Sequence, residues 1–115
     1  MAELFHLADR GEWLAAVPVG AYRVSTRGVT LEQQGFIHCS LRHQVRGVAE
    51  AFFSDADDLV LLVIDSGLVT APIRYEAPEP GAQPYPHIYG PLPVGAVTSV
   101  LPVSRDPAGR FLLPD

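Results

Sequence analysis

The chain contains no lysine; all eight of its basic residues are arginine. That excludes a lysine nucleophile or Schiff base. It leaves any phosphate or carboxylate contact to guanidinium groups, which suit bidentate geometry. Cysteine is almost as scarce: Cys39 stands alone, so no disulfide can form within the chain. Positive charge is in short supply, and the formal net charge is −5. Without a basic stripe to meet phosphates, general nucleic-acid binding is not expected. The longest apolar run, "LVLLVI" at 59–64, falls far short of the ~20 residues a membrane span needs, so no membrane association is expected. The opening "MAELFHLADRGEWL" carries Glu3, Asp9 and Glu12 and lacks a basic segment followed by an apolar one. No signal peptide is therefore expected, and the expected location is cytoplasmic. Gly-rich phosphate loops, GxSxG elbows and HExxH or HxH spacings are all missing, and no metal is expected.

What is present fits one domain. The chain has 115 residues, 48% of them apolar and 18% charged, which is the range of a globular chain that can bury a core unaided. "LFHLA" (4–8) alternates as a strand. Asp9 and Glu12 then have the spacing of a capping box for a short helix over 10–17. "YRV" (22–24) reads as a small strand and 25–34 as a loop or a single helical turn. "GFIHCS" (35–40) reads as a strand, with Ser40 as N-cap of a helix over 41–53. That helix carries the stripe Leu41, Val45, Val48, Ala49, Phe52. "LVLLVID" (59–65) is apolar throughout, as a central strand covered on both faces would be. "APIRYE", "HIYG" and "VTSVLPV" follow as strands, and "RDPAGRFLLPD" as a turn and tail. The expected class is α+β, with about six or seven strands in a mixed sheet and two helices.

Three histidines share one local pattern. His6 lies between Phe5 and Leu7, His38 between Ile37 and Cys39, and His87 before Ile88 with Tyr89 back on its own side. Side chains alternate along a strand. If the apolar neighbours face the core, then His6, His38, His87 and Tyr89 leave by the other face, with Phe36 and Ser40 beside His38. Such a surface is poor core material and suits a small-molecule ligand. Imidazoles also titrate near neutral pH and serve in acid–base roles. Four prolines in "PYPHIYGPLP" (84–93) hold the last of these segments. Cys39, next to His38, points the other way and reads as buried and inert. Glu76 is a strand-end carboxylate that fits a site or the surface equally.

With these residues in hand, the chain resembles a small bacterial family catalogued as domain of unknown function 952. The likeness rests on "LFHLADRGEW", "GFIHCS", "DDLVLLVID", "IRYE" and "PHIYGPLP". It implies a fold similar to that of ADP-ribosyltransferases, a compact mixed sheet split into halves around a cleft for NAD. It gives His6 the place that meets the nicotinamide ribose and His38 the place on the second motif, as in RNA 2′-phosphotransferases. The glutamate that toxin-like branches carry late in the chain is not matched: Glu76 falls too early, and "VTSVLPV" has no acid. The resemblance thus implies NAD, or another ADP-ribose-containing ligand, held among His6, His38, His87, Phe36, Ser40 and Tyr89. Arg23 or Arg42 would meet the diphosphate. The rival expectations are a non-catalytic binding or regulatory module and, less favoured, metal-assisted hydrolysis.

Overall fold

Alternation at the N-terminus sets the frame. The computed structural model describes residues 2–113. In chain order these form β1 (Glu3–Asp9), α1 (Arg10–Ala16), β2 (Ala21–Tyr22), β3 (Val24–Thr26), β4 (Val29–Thr30), α2 (Leu31–Gln34) and β5 (Ile37–His38). There follow α3 (Val45–Phe52), β6 (Leu59–Asp65), β7 (Ile73–Glu76), β8 (Tyr85–Ile88), β9 (Leu92–Pro93), β10 (Val97–Pro102), β11 (Ser104–Arg105) and β12 (Phe111–Leu112). The class is α+β, with several small sheets and few helices.

Two three-stranded sheets carry the structure. In the first, β6 lies between β1 and β10; in the second, β8 lies between β5 and β7. A reciprocal backbone pair joins them, with Phe5 N–H donating to Ser40 C=O at 2.8 Å and Ser40 N–H to Phe5 C=O at 2.7 Å. Every strand pairing among the described residues is antiparallel. The sheet is therefore not mixed as expected. The unbroken apolar run of β6 reflects burial on two faces, which a central antiparallel strand can also have. Val60, Leu62 and Ile64 pack with Leu4, Ala8, Trp13 and Tyr22, and the second sheet's Ile37, Cys39 and Ile88 join the same core. Leu59, Leu61 and Val63 face the other way and pack with Phe5, Leu7 and the α3 residues Val45 and Ala49.

Local signals explain most element ends. The Asp9 carboxylate accepts from Glu12 N–H and caps α1. Thr30 and Gln33 form the reciprocal capping box of α2. Gly35 ends α2 at φ 94°, a left-handed conformation that only glycine adopts cheaply. Ser40 is not the expected N-cap, because its backbone is engaged by Phe5. A 3₁₀ turn at Arg42–Gln44 precedes α3, and the Gln44 side chain accepts from Leu41 N–H instead. Within α3 the stripe holds at Val45 and Ala49, but Phe53 is the buried aromatic and Phe52 is 67% exposed. The expected tail folds back as the β11–β12 hairpin; Pro114 and Asp115 lie outside the described residues.

Candidate functional site

The pairing of β5, β8 and β7 builds one wall of a cleft. His38 lies directly across from His87, and Arg74 pairs with His87 from the other side. Opposed residues share a face, so His38, His87, Arg74 and Glu76 all project the same way. Their rings interlock. Phe36 stacks on His87 at 4.1 Å between centroids and 17° between planes. His38 meets His87 edge-on at 5.1 Å. Phe36 also contacts His38 at 4.8 Å and Tyr89 at 5.2 Å.

Glu76 organises this wall. His87 Nδ1–H donates to its Oε1 at 2.8 Å, and the Tyr89 hydroxyl donates to the same oxygen. The two bonds, Tyr89's first, hold the Glu76 carboxyl below the usual carboxylate range. The same bond to Glu76 pushes the Tyr89 phenol up. Burial, and then the neighbouring His87, lower the pKa of His38. The Arg74 guanidinium lies 4.9 Å over the Tyr89 ring. Glu76 belongs to the site, and sequence reading left it undecided. The missing signal was register: only the β7–β8 pairing sets "IRYE" beside "PHIY". Arg74, two residues earlier on the same face, went unmarked for the same reason.

The opposite wall is apolar. Phe5, Leu7 and Leu61 of the first sheet, with Val45, Val48 and Phe52 of α3, face the histidines across a cavity of about 630 Å³. Phe5 and Ser40, whose backbones bridge the two sheets, both line the cleft. Ser40 and Cys39 line its inner end. Cys39 is buried, and burial raises its thiol pKa far above the ordinary range, so it supplies no thiolate.

His6, expected among the reacting groups, has a different place. It touches the inner end of the cleft but is 4% exposed. Its Nδ1–H donates to the His38 carbonyl, and its Nε2 accepts from the Tyr22 hydroxyl at 2.9 Å. A carbonyl can only accept, which fixes the tautomer. Burial lowers the ring pKa to about 4, so His6 is a neutral clamp with both nitrogens engaged. Alternation does set His6 opposite Phe5 and Leu7, but the face it shares with Leu4 and Ala8 is packed in the core, while Phe5 and Leu7 line the cleft, so His6 does not share the facing of His38 and His87 as expected. Arg23 and Arg42 do not line the cleft. Arg23 pairs with Glu32, because its neighbour Tyr22 takes the inward position. Arg42 reaches back to Glu3 at 3.2 Å and lies over the Phe5 ring. Among the described residues no three His, Cys, Asp or Glu side chains are placed to hold a metal ion, and no helix is long and apolar enough to cross a membrane.

A family model described as a protein of unknown function, DUF952, matches residues 7–100. The chain belongs to the DUF952 family. The DUF952 match spans His38, Glu76, His87 and Tyr89, whereas His6 lies one residue before it. Among solved structures, the crystal structure of protein CC0527 from Caulobacter crescentus is 29% identical, with a TM-score of 0.82 over 96% of this chain and 94% of that one. The solution NMR structure of CC0527 is 30% identical, with a TM-score of 0.77 over 96% and 91% of the two chains. The DUF952 chain matches no curated protein.

Proposed function

We propose that the cleft binds NAD or another ligand carrying an ADP-ribose unit, and that the chain is an ADP-ribosyltransferase-like domain. The observation that carries this reading is the cleft wall itself. A stacked Phe36–His87 pair and a lone carboxylate face an apolar surface across about 630 Å³. That volume suits a small-molecule ligand. A planar ring would lie against the aromatic wall, and ribose hydroxyls would reach the imidazoles. If the site is catalytic, the reaction is displacement at the ribose C1′ through an oxocarbenium-like state. The Glu76 carboxylate would then stabilise the positive charge as it develops, through electrostatics already in place. Arg74 does not line the cleft, but it shares the face of His87 and lies over the Tyr89 ring, and it is proposed in place of Arg23 and Arg42 as the guanidinium to meet a diphosphate. The ADP-ribosyltransferase reading comes from a resemblance in sequence motifs alone, so the chemistry is argued from these side chains.

Calorimetry with NAD and with ADP-ribose tests the reading. Micromolar binding is expected, weakened at least tenfold in Phe36→Ala and in His38→Ala. Absence of heat with both ligands would remove it. Release of nicotinamide from NAD separates an enzyme from the second reading, a non-catalytic binding module. The apolar wall of Phe5, Leu7, Val45, Val48 and Phe52 favours that alternative, since it suits a greasy guest as well as a nucleotide.

A further inference from the structure

We infer that Glu76 and His87 form a carboxylate–imidazole pair in which His87 Nε2 takes the proton of the attacking hydroxyl. The inference deepens the reading above and rests on it for the identity of the substrate.

The geometry specifies the roles. Glu76 pairs with Tyr85 and Arg74 with His87, so Glu76 and His87 are diagonal neighbours on one face, within reach of long side chains. An ionised carboxylate only accepts, so the His87 proton sits on Nδ1, which points at Glu76 Oε1. Tyr89 donates to that same oxygen and keeps the carboxylate from turning away. Phe36, stacked on the ring, resists a flip that would exchange the two nitrogens. Among the described residues no hydrogen-bond partner is found for His87 Nε2, although the ring lines the cleft. Carboxylate on one nitrogen and cavity at the other is the arrangement a general base needs. The titratable and charged groups facing His87 are His38, Arg74, Glu76, Tyr85 and Tyr89. Of these, Glu76 alone accepts its proton-bearing nitrogen.

The step balances as follows. The O–H bond of the acceptor, water or an alcohol, breaks and its proton moves to Nε2. The acceptor oxygen bonds to C1′. The bond from C1′ to the nicotinamide nitrogen breaks, and its electron pair leaves with neutral nicotinamide. The imidazolium so formed faces the Glu76 carboxylate and returns its proton to solvent.

The experiment combines two measurements on the full chain. Nitrogen-15 spectra of the imidazoles should show His87 protonated at Nδ1 in the wild type. Nicotinamide release and calorimetric NAD affinity should then be compared in wild type, Glu76→Gln and His87→Gln. We expect turnover to fall by about 10²–10⁴-fold in both variants, while Kd in Glu76→Gln changes by less than about threefold. Turnover retained in Glu76→Gln, or lost only in step with affinity, would overturn the pair, as would the Nε2–H tautomer in the wild type. If no preparation binds NAD, the NAD reading fails. The pair is then decided by the tautomer and by carbethoxylation: diethyl pyrocarbonate should modify His87 at Nε2, and an unreactive His87 overturns the inference. His87 is buried and stacked on Phe36, so Glu76→Gln, which keeps an acceptor oxygen in place, is the deciding variant.

Discussion

His6 is the residue whose protonation the fold controls most directly. Its pKa falls from 6.5 to about 4 in the folded chain, chiefly through burial. Between those values the unfolded chain binds more protons. The stability that neutral His6 contributes is therefore complete above about pH 6.5 and is lost as pH falls toward and through 4. The loss over that window is on the order of 3 kcal/mol. Urea midpoints from pH 4 to 8 should show this acid limb in the wild type and a flatter one in His6→Gln. Its partner gives a second check. Tyr22→Phe strips the donor from the buried Nε2 and should cost about 1–3 kcal/mol, read from the same denaturation curves. A third residue explains one glycine of "PHIYGPLP". A Cβ at Gly90 would lie 2.7 Å from the Ala71 Cβ. Gly90→Ala should therefore destabilise the chain by about 1–3 kcal/mol through overpacking, seen as a lower Tm.

Among the elements, the 77–84 connection and the start of α3 depend on each other. Gln44 is buried, and its amide donates to Gln83 Oε1 at 2.8 Å and to Pro84 C=O at 2.9 Å, while its own oxygen accepts from Leu41. His43 Nε2 also reaches Gln83, at 3.1 Å. Gln44→Ala should cost about 1–3 kcal/mol and speed amide exchange across 77–84, measured by mass spectrometry. None of this was legible beforehand, because the stripe of α3 reports only its apolar face. β1, α1 and β6 were legible: period-two alternation, a capping Asp9 and an unbroken apolar run each have one local cause. The shared facing of His38, His87 and Tyr89 was legible for the same reason. What escaped depends on distant pairing. Ser40 looks like a cap until Phe5 takes its backbone, Glu76 looks like a surface acid until β7 docks on β8, and Phe111 looks like tail until it packs with Phe5, Leu7 and α3. Strand direction escaped too, since burial of both faces of β6 is blind to it.

At the scale of the molecule, a ligand in the cleft would touch both three-stranded sheets, which share the Phe5–Ser40 backbone pair at their seam. A ligand bridging them adds its binding energy to the folded state, about 2.7 kcal/mol at one hundred times Kd. For a chain of this size that corresponds to a Tm rise of roughly 10 °C. Calorimetric scans with and without saturating NAD should show it, and an unchanged Tm would contradict NAD binding at this cleft. The neutral His6 clamp carries a further consequence. It grips the carbonyl of His38 from the core side while the His38 imidazole faces the cleft. Recognition and scaffolding are thereby divided between the two surfaces of one short strand. Side chains on the guest's side can be exchanged, by evolution or by an engineer, to retune what the cavity admits, and the fastening behind them stays as it was.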